Sequence, residues 1–372
     1  MKLTVISSAP HFFNDKGVFS YGPFVREMNL WMKYCQEVTV VAPIQYKEEL
    51  SGIEAMYSQK VNILKVPSFN TLNALNTLIF LIISPVIVFQ LLRGIWSADH
   101  LHFRCPCNLS VIGLLLQVFF PFKVKSTKYA GNWDPKSGQP WSYRLQQAIL
   151  RNRFLTRNMK VLVYGEWPEE PEHIIPFISA TYYDEDKVPF KERDFKQTLE
   201  FVFAASLVPG KRPLLTVQIV EALNQKGYPA ILHMFGDGPL RLELEQYIKN
   251  HGLNDQIILY GNRDISELKH YYQRAHFNIL PSKSEGWPKA VAEGMFFGCV
   301  PVTTDVSCVS WMLNKGGRGI LIKPQLEKAV KSIINALECE DLSEMAQQAK
   351  VWSEAYTFDR LESDIQSILN TI

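Results

Sequence analysis

The stretch PSKSEGWPKAVAEGMFFGCVPVTT, residues 281–304, sets two acids, Glu285 and Glu293, eight residues apart across a proline and a run of helix formers. Pro288 suits a first helical position, where no N–H is needed, and Gly298 is a good stop. The pattern predicts a helix over 288–297 with Glu285 in the loop before it. The amides of Trp287, Lys289 and Ala290 would then stand at the positive end of that helix, a ready anion site. Glu293 falls near the end of the second turn. Facing a cleft, it could accept two hydrogen bonds from a vicinal diol such as a ribose. Glu285, at the same mouth, could hold a sugar hydroxyl or steady developing positive charge. The same spacing also fits a Lys289–Glu293 pair at i, i+4 with a solvated Glu285.

Positioning such groups needs a scaffold, and the chain spells one twice. The runs KLTVIS, EVTVVAP, VNILKV, DHLHF, FKVKSTKY and KVLVYG read as strands. Helices are expected between them near 22–34, 72–93, 108–119 and 141–153. A charge- and proline-rich stretch at 166–196 reads as an interdomain connection. The alternation then restarts with LEFVFAAS, AILHMFG, QIILYG, HFNILP, VPVTT and GILI, and helices near 213–226, 239–250, 265–275, 288–297 and 325–337. Val/Ile-rich strands alternating with helices imply an α/β protein of two doubly wound, Rossmann-like domains. The expected bounds are 1–180, 181–355 and a terminal helix at 356–372 that crosses back to the first domain. Ligands of such sheets bind outside the carboxyl ends of strands.

The 372 residues fit two domains. The charge balance, 39 basic against 37 acidic residues, argues against nucleic acid as the main partner. The six cysteines are scattered, without paired knuckles, and are expected reduced and buried in a cytoplasmic protein. No His–carboxylate set suggests a metal. No signal peptide is visible. The run TLIFLIISPVIVFQLL, 77–92, is almost wholly apolar and carries Pro85. It is expected to be a buried or proline-broken helix, with shallow membrane contact as the alternative and a true span disfavoured. Residues 143–160 hold five basic residues and no acid, which fits either a solvated helix face or an anionic membrane surface.

The segment around Glu285 and Glu293 resembles the Glu-x7-Glu element of family 4 retaining glycosyltransferases, which have the GT-B fold. FAASLVPGKRPLLTVQIVEAL resembles that family's opening of the second domain. The stretch from HMFGDGPL to KAVAEGM follows its order of Gly-Asp-Gly, a charged helix, a strand ending in Gly, and Pro-Ser before the first acid. The resemblance is strong over about 201–322 and weaker in the first half. It implies a hexosyltransferase-type enzyme of polysaccharide or glycolipid synthesis. Its two Rossmann-like domains would face each other across a cleft. It would use a nucleoside-diphosphate sugar as donor substrate, no further cofactor, and a saccharide or glycolipid acceptor, reached at the inner face of a membrane by peripheral contact.

Matched residue by residue, Glu293 takes the ribose hydroxyls, and Glu285 the donor sugar. The amides of Gly286, Trp287, Lys289 and Ala290 would hold phosphate and sugar, and Lys211 would neutralise the diphosphate leaving group; the alternative for Lys211 is a solvated loop lysine. Gly236 and Asn262 fall in donor-side loops, with backbone near 261–264 selecting the base. Two positions depart from the family. Ser206 stands where an arginine is usual, so a diphosphate contact is missing or comes from Arg212, Lys289 or the first domain. In STKYAGNWDP, Tyr129 or a neighbour replaces the usual histidine. Tyr129, Asn132 and Trp133 could offer hydrogen bonds and a stacking face to an acceptor sugar, or simply form a turn. The loop at 16–22 could bring Gly17 and Gly22 near the diphosphate, Gly22 giving close backbone access, or be a plain strand-to-helix loop. His102 matches a family histidine and reads as structural. Rival readings are a nucleotide-sugar epimerase of the same fold and a sugar-nucleotide-binding partner protein with weakened catalysis.

Overall fold

The computed structural model describes residues 1–370 apart from 16, 47–53, 71 and 168. Contacts divide the chain into two units. One is Met1–Phe177 with the residues from Glu362 on; the other is Ile178–Leu361. The breaks thus fall a few residues away from the 180/181 and 355/356 expected.

The first unit runs β1 (Lys2–Ile6), β2 (His11–Asn14), β3 (Gly17–Tyr21), α1 (Gly22–Met32), β4 (Glu37–Tyr46), β5 (Glu54–Met56), β6 (Asn62–Val66), α2 (Ala74–Ser97), β7 (His100–Cys105), α3 (Asn108–Leu116), β8 (Val124–Tyr129), α4 (Trp141–Arg151), β9 (Met159–Tyr164) and β10 (Ile174–Phe177). Strands β10-β9-β8-β7-β1-β4-β6 are parallel neighbours. Their inward residues, Val5, Val40, Leu101, Phe103 and Val161 among them, are buried. The stretch expected as a glycine loop is instead strand: β2 and β3 pair antiparallel, Phe12 opposite Phe19 and Phe13 opposite Val18. Aromatic and β-branched cross-strand pairs stabilise such a hairpin. Lys16, in the same expected loop, lies outside the described residues.

The apolar run 77–92 corrects a second expectation. It is neither broken nor mostly buried. α2 is continuous through Pro85 and is buried only at Ile87, Leu91, Gly94 and Ile95. A helical proline leaves the carbonyl four residues back without its N–H partner. Here the Ser84 hydroxyl donates to that carbonyl, Leu81, at 2.9 Å, so the ladder is patched where it would break. Gly94 lets the helix lie close on the sheet: a Cβ there would sit 2.9 Å from Val41. Thr4 Oγ1 donates to the Gly94 carbonyl at 3.0 Å.

The second unit runs β11 (Leu199–Ala204), α5 (Pro213–Gln225), β12 (Ala230–Phe235), α6 (Arg241–Asn250), β13 (Ile257–Gly261), α7 (Ile265–Arg274), β14 (Phe277–Leu280), α8 (Lys289–Phe296), β15 (Val300–Thr304), α9 (Val309–Met312), β16 (Ile320–Ile322), α10 (Leu326–Cys339) and α11 (Leu342–Ser353), with α12 (Phe358–Asn370) leading into the final segment. Its sheet is parallel, in the order β13-β12-β11-β14-β15-β16. In α12, Glu362 belongs to the first unit, where it accepts from Lys33 (2.6 Å) and the Tyr34 hydroxyl (3.0 Å). All six cysteines are free thiols; Cys107 is half-buried and Cys339 exposed, the rest buried.

Candidate active site

In the second sheet the chain leaves β11 toward β12 on one side and β14 toward β15 on the other. Doubly wound sheets take ligands at such a reversal, where the loops diverge and leave a crevice. The loops concerned are 205–212 after β11 and 281–288 after β14. They are stapled together. Lys283 N–H donates to the Gly210 carbonyl (2.8 Å), and Arg212 Nη1 donates to the Pro281 carbonyl (2.9 Å). Between the staples, Lys211 Nζ donates to Glu285 Oε1 at 2.5 Å. The Glu285 side chain is only 7% exposed, whereas that of Lys211 is 28% exposed. Glu285 is therefore not a solvated loop acid. It is a buried carboxylate that holds a cation whose other side meets solvent.

Backbone geometry fixes the lysine. Lys211 closes a short 3-10 turn, Pro209–Lys211, and Arg212 then turns left-handed (φ 51°) before Pro213 opens α5. Arg212 braces the two loops through Pro281, which accounts for part of its donor capacity. Ser206 is exposed, and its carbonyl accepts from Val208 N–H at 2.9 Å.

Across the crevice α8 begins at Lys289, one residue later than expected. Pro288 is the N-cap, and its side chain makes no capping hydrogen bond. Lys289 and Ala290 are half-buried in the first turn. Gly286 is held by Cys308, whose thiol donates to its carbonyl (3.1 Å). Burial, and then the Glu285 charge, push that thiol's pKa up to about 12, so it stays a donor. The Trp287 ring is buried and stacks on Trp352 (6.1 Å) beside Trp311 and Tyr356, which leaves its backbone as the part nearest the loop mouth.

Glu293, half-buried, accepts from the Thr181 hydroxyl at 2.8 Å. One carboxylate oxygen is thereby oriented by the first residues of this unit. Behind it, Gly294 lies against β14; a Cβ there would sit 2.6 Å from Asn278 Cβ. Ser353 of α11 donates to the Ala292 carbonyl (2.7 Å), and Arg193 donates to the Phe297 carbonyl (2.7 Å) and to that of Gly298. A cation suits a helix C-terminus. Thr181 and Arg193 both lie in the stretch read as a linker, where charge and proline mask their roles.

Gly236 has a scaffold role in these loops. Its N–H donates to the Gly261 carbonyl (2.8 Å), and a Cβ would meet the Ala205 carbonyl oxygen at 2.0 Å. The glycine thus lets the loops after β11 and β12 touch. Asn262 is exposed just past β13. Two residues on, Asp264 caps α7 through the amides of Ser266 and Glu267.

In the first unit the acceptor expectations change. Tyr129 and Trp133 are fully buried and meet edge to face at 4.9 Å. Tyr129 donates to Gln139 (3.0 Å) and Trp133 Nε1 to Glu170 (2.9 Å). Neither ring offers a stacking face, because the turn folds them into the core. Asn132 builds that turn: its Oδ1 accepts from Asp134 N–H, and its carbonyl accepts from Gln139 and Gln147. Gly22 is buried at the start of α1, next to the exposed N-cap Tyr21. His102 is buried, tilted on Trp31 at 4.2 Å and hydrogen-bonded to Ser126 (2.8 Å).

A charged cluster near the carboxyl ends of β7 and β8 went unread in the sequence. Glu27 of α1 accepts from Arg104 (2.5 Å) and Lys128 (2.7 Å), and the Lys128 side chain is 1% exposed. Burial alone would raise the Glu27 pKa, but the charges of Arg104 and Lys128 overcome it and hold it at about 2. Burial brings Lys128 down to about 8, against the pull of Glu27. A lysine inside a buried parallel strand must find a partner, which was the available signal. A cavity of about 660 Å³ opens at the amino ends of β7, β8 and β9, lined by His100, Lys125, Lys160 and neighbours. It lies at the opposite end of the strands from the face where such sheets bind substrate. Among the described residues, no group of three or more His, Cys, Asp or Glu is placed to hold a metal.

The whole chain aligns with GT-B glycosyltransferase structures. HepE of Anabaena, solved in complex with UDP, superposes with a TM-score of 0.69 over 100% of both chains at 15% identity, a likeness of fold. Residues 184–352 match the family described as Glycosyl transferases group 1, and the second unit is a group 1 glycosyltransferase domain. The teichuronic acid biosynthesis glycosyltransferase TuaC of Bacillus subtilis, itself described as putative, is 34% identical over 141 residues, 38% of this chain and 33% of that protein. An uncharacterized glycosyltransferase of Methanocaldococcus jannaschii is 20% identical over 184 residues, 49% of this chain and 50% of that one. The chain thus spans half or less of the length of these curated relatives in the matched regions.

Proposed function

We propose that the protein transfers a sugar, with retention of anomeric configuration, from a nucleoside diphosphate to a hydroxyl of a saccharide or lipid-linked acceptor. The observation that carries this reading is the Lys211–Glu285 pair at the strand reversal of the second sheet, buried on the acid side and open on the lysine side. Breaking the bond between the anomeric carbon and the phosphate oxygen sends the electron pair to the phosphate. A fixed cation there stabilises the transition state more than the ground state. Lys211 supplies that cation, and the first turn of α8 adds its amides and dipole. Glu285 sets the lysine and lies where it can orient the donor sugar. Glu293, steadied by Thr181, takes the ribose diol. The acceptor oxygen attacks from the face the phosphate leaves, and its proton passes to the departing phosphate. The family resemblance supports retention, and the UDP bound by HepE supports a nucleotide donor. TuaC's assignment to teichuronic acid synthesis supports a polysaccharide product. The acceptor is placed at the cytoplasmic face of a membrane, in keeping with the apolar α2.

The test is a panel of UDP-, GDP- and ADP-sugars incubated with and without saccharide and polyprenyl-linked acceptors, with products read by mass and by the NMR coupling of the new linkage. Acceptor-dependent release of nucleoside diphosphate with a retained anomer supports the reading. Conversion of donor alone to an isomeric nucleotide sugar would make the protein an epimerase. Nucleotide binding with no turnover on any acceptor would make it a binding partner.

A further inference from the structure

The helix layer α2–α3–α4 of the first unit is apolar on its outside as well as its inside. In α2 the inner stripe, Ile87, Leu91 and Ile95, joins the core. The outer stripe repeats at the same spacing but stands in solvent: Ile82 is 71% exposed, Phe89 64% and Trp96 77%, with Leu78 and Val86 between and before them. A surface helix of a globular protein carries polar residues there. The apolar surface continues past the helix end. Trp96 meets Phe120 edge to face at 6.4 Å, Lys123 Nζ donates to the Trp96 carbonyl at 3.0 Å, and the adjoining Phe122 is 91% exposed. Leu115 of α3 and Trp141 of α4 extend it across the layer.

Charge says what covers this face. Residues 66–165 hold eleven Lys and Arg against two acids, Asp99 and Asp134; Arg104, Lys128, Arg151 and Arg153 are paired with Glu27, Glu170 or Glu172, and Arg93, Lys136, Arg144 and Arg157 stand exposed. Exposed Arg93 lies one turn beyond Phe89 on α2; Arg144 of α4 and Arg157 just after it are also exposed, and Arg157 lies over the Phe154 ring at 4.7 Å. Apolar residues mixed with Trp and Phe and fringed by cations match the interface of an anionic bilayer, with acyl chains below and phosphates above. α2 is about 36 Å long and is the one described helix long and apolar enough to span. Its inner stripe and Gly94 are packed on the sheet, so it lies along the surface rather than crossing.

We propose that this layer docks flat on an anionic lipid bilayer, with the outer stripe of α2 among the acyl chains and Arg93, Arg144 and Arg157 on lipid phosphates. This deepens, and for its purpose rests on, the reading of a membrane-borne acceptor: α2 follows the carboxyl end of β6, the edge at which a doubly wound unit receives ligands.

The test is flotation of the full chain with vesicles of phosphatidylcholine alone and with about a third phosphatidylglycerol, without donor or acceptor. Binding is expected to the anionic vesicles, to weaken with salt, and to be slight on phosphatidylcholine. Ile82→Glu with Phe89→Glu should cut partitioning about tenfold or more, and Arg144→Glu or Arg157→Glu roughly fivefold each. Thermal melts should stay unchanged, since these side chains are exposed. No binding to anionic vesicles, or equal binding by the Ile82→Glu/Phe89→Glu variant, overturns the proposal. So does a lipid-independent dimer in light scattering that this variant dissociates, which would make the face a self-association surface. Transfer to a water-soluble acceptor, measured in parallel, separates the two readings: a wild-type protein that transfers but does not dock overturns only the membrane face, and one that docks without transfer overturns only the enzyme.

Discussion

Each unit sets a lysine–glutamate pair near the carboxyl ends of its strands, and the two pairs do opposite work. In the first unit Lys128 and Glu27 are both buried, and Arg104 closes the cluster. In the second unit Glu285 is buried but Lys211 reaches solvent. A fully enclosed ion pair has given up its hydration and is hard to break, because either partner left alone is a buried charge. A half-open pair keeps one ion available to a ligand. One chain thus uses the same two side-chain types once to hold a fold and once to hold a charge at a mouth.

That contrast can be broken by mutation. Glu27→Ala leaves Arg104 and Lys128 facing each other and should cost about 3–5 kcal/mol of stability, measured by urea unfolding. A loss no greater than that of Glu285→Ala would erase the distinction. Lys211→Ala should do the reverse. It should lower kcat/KM by about 10²–10³, near 3–4 kcal/mol of transition-state stabilisation, while costing less stability than Glu27→Ala, since Glu285 left alone sits at a mouth that solvent can enter.

A pH series sharpens the comparison. Burial lowers the pKa of His11 and His100 to about 4, and His102 follows well below its usual value. As pH falls below about 6.5 the unfolded chain takes up protons that the folded unit refuses. Stability is therefore full above that value and declines toward pH 4, by a few kcal/mol in all. Urea midpoints that stay level from about pH 7 to 4.5 would contradict neutral buried histidines. The smallest effect is expected at Thr181→Val, which removes one hydrogen bond that orients Glu293 and should weaken nucleotide binding roughly fivefold, about 1 kcal/mol; calorimetry reads it directly.

The sequence made both doubly wound sheets legible, because Val/Ile-rich strands and helical runs alternate without interruption from β6 to β9 and from β11 to β16. It was less informative where local pattern and tertiary setting part. The β2–β3 hairpin carries a glycine and polar residues that read as loop. Pro85 reads as a break, but the Ser84 hydroxyl repairs the ladder. Tyr129 and Trp133 look like sugar platforms by type, yet the turn at Asn132 folds them inward. Glu285 and Lys211 are 74 residues apart, and only the adjacency of β11 and β14 brings them to 2.5 Å. Thr181 and Arg193 gave no signal, since their partners lie far along the chain, 112 residues on for Thr181 and 79 to 105 for Arg193.

Titration calorimetry of UDP, GDP and ADP, each beside its parent nucleoside, into the wild-type protein and Lys211→Ala tests the central claim most directly. The account predicts that one of the diphosphates binds well, that Lys211→Ala weakens it at least about tenfold, and that the matching nucleoside binds both proteins alike. Undiminished diphosphate affinity in Lys211→Ala would contradict a diphosphate held at this crevice.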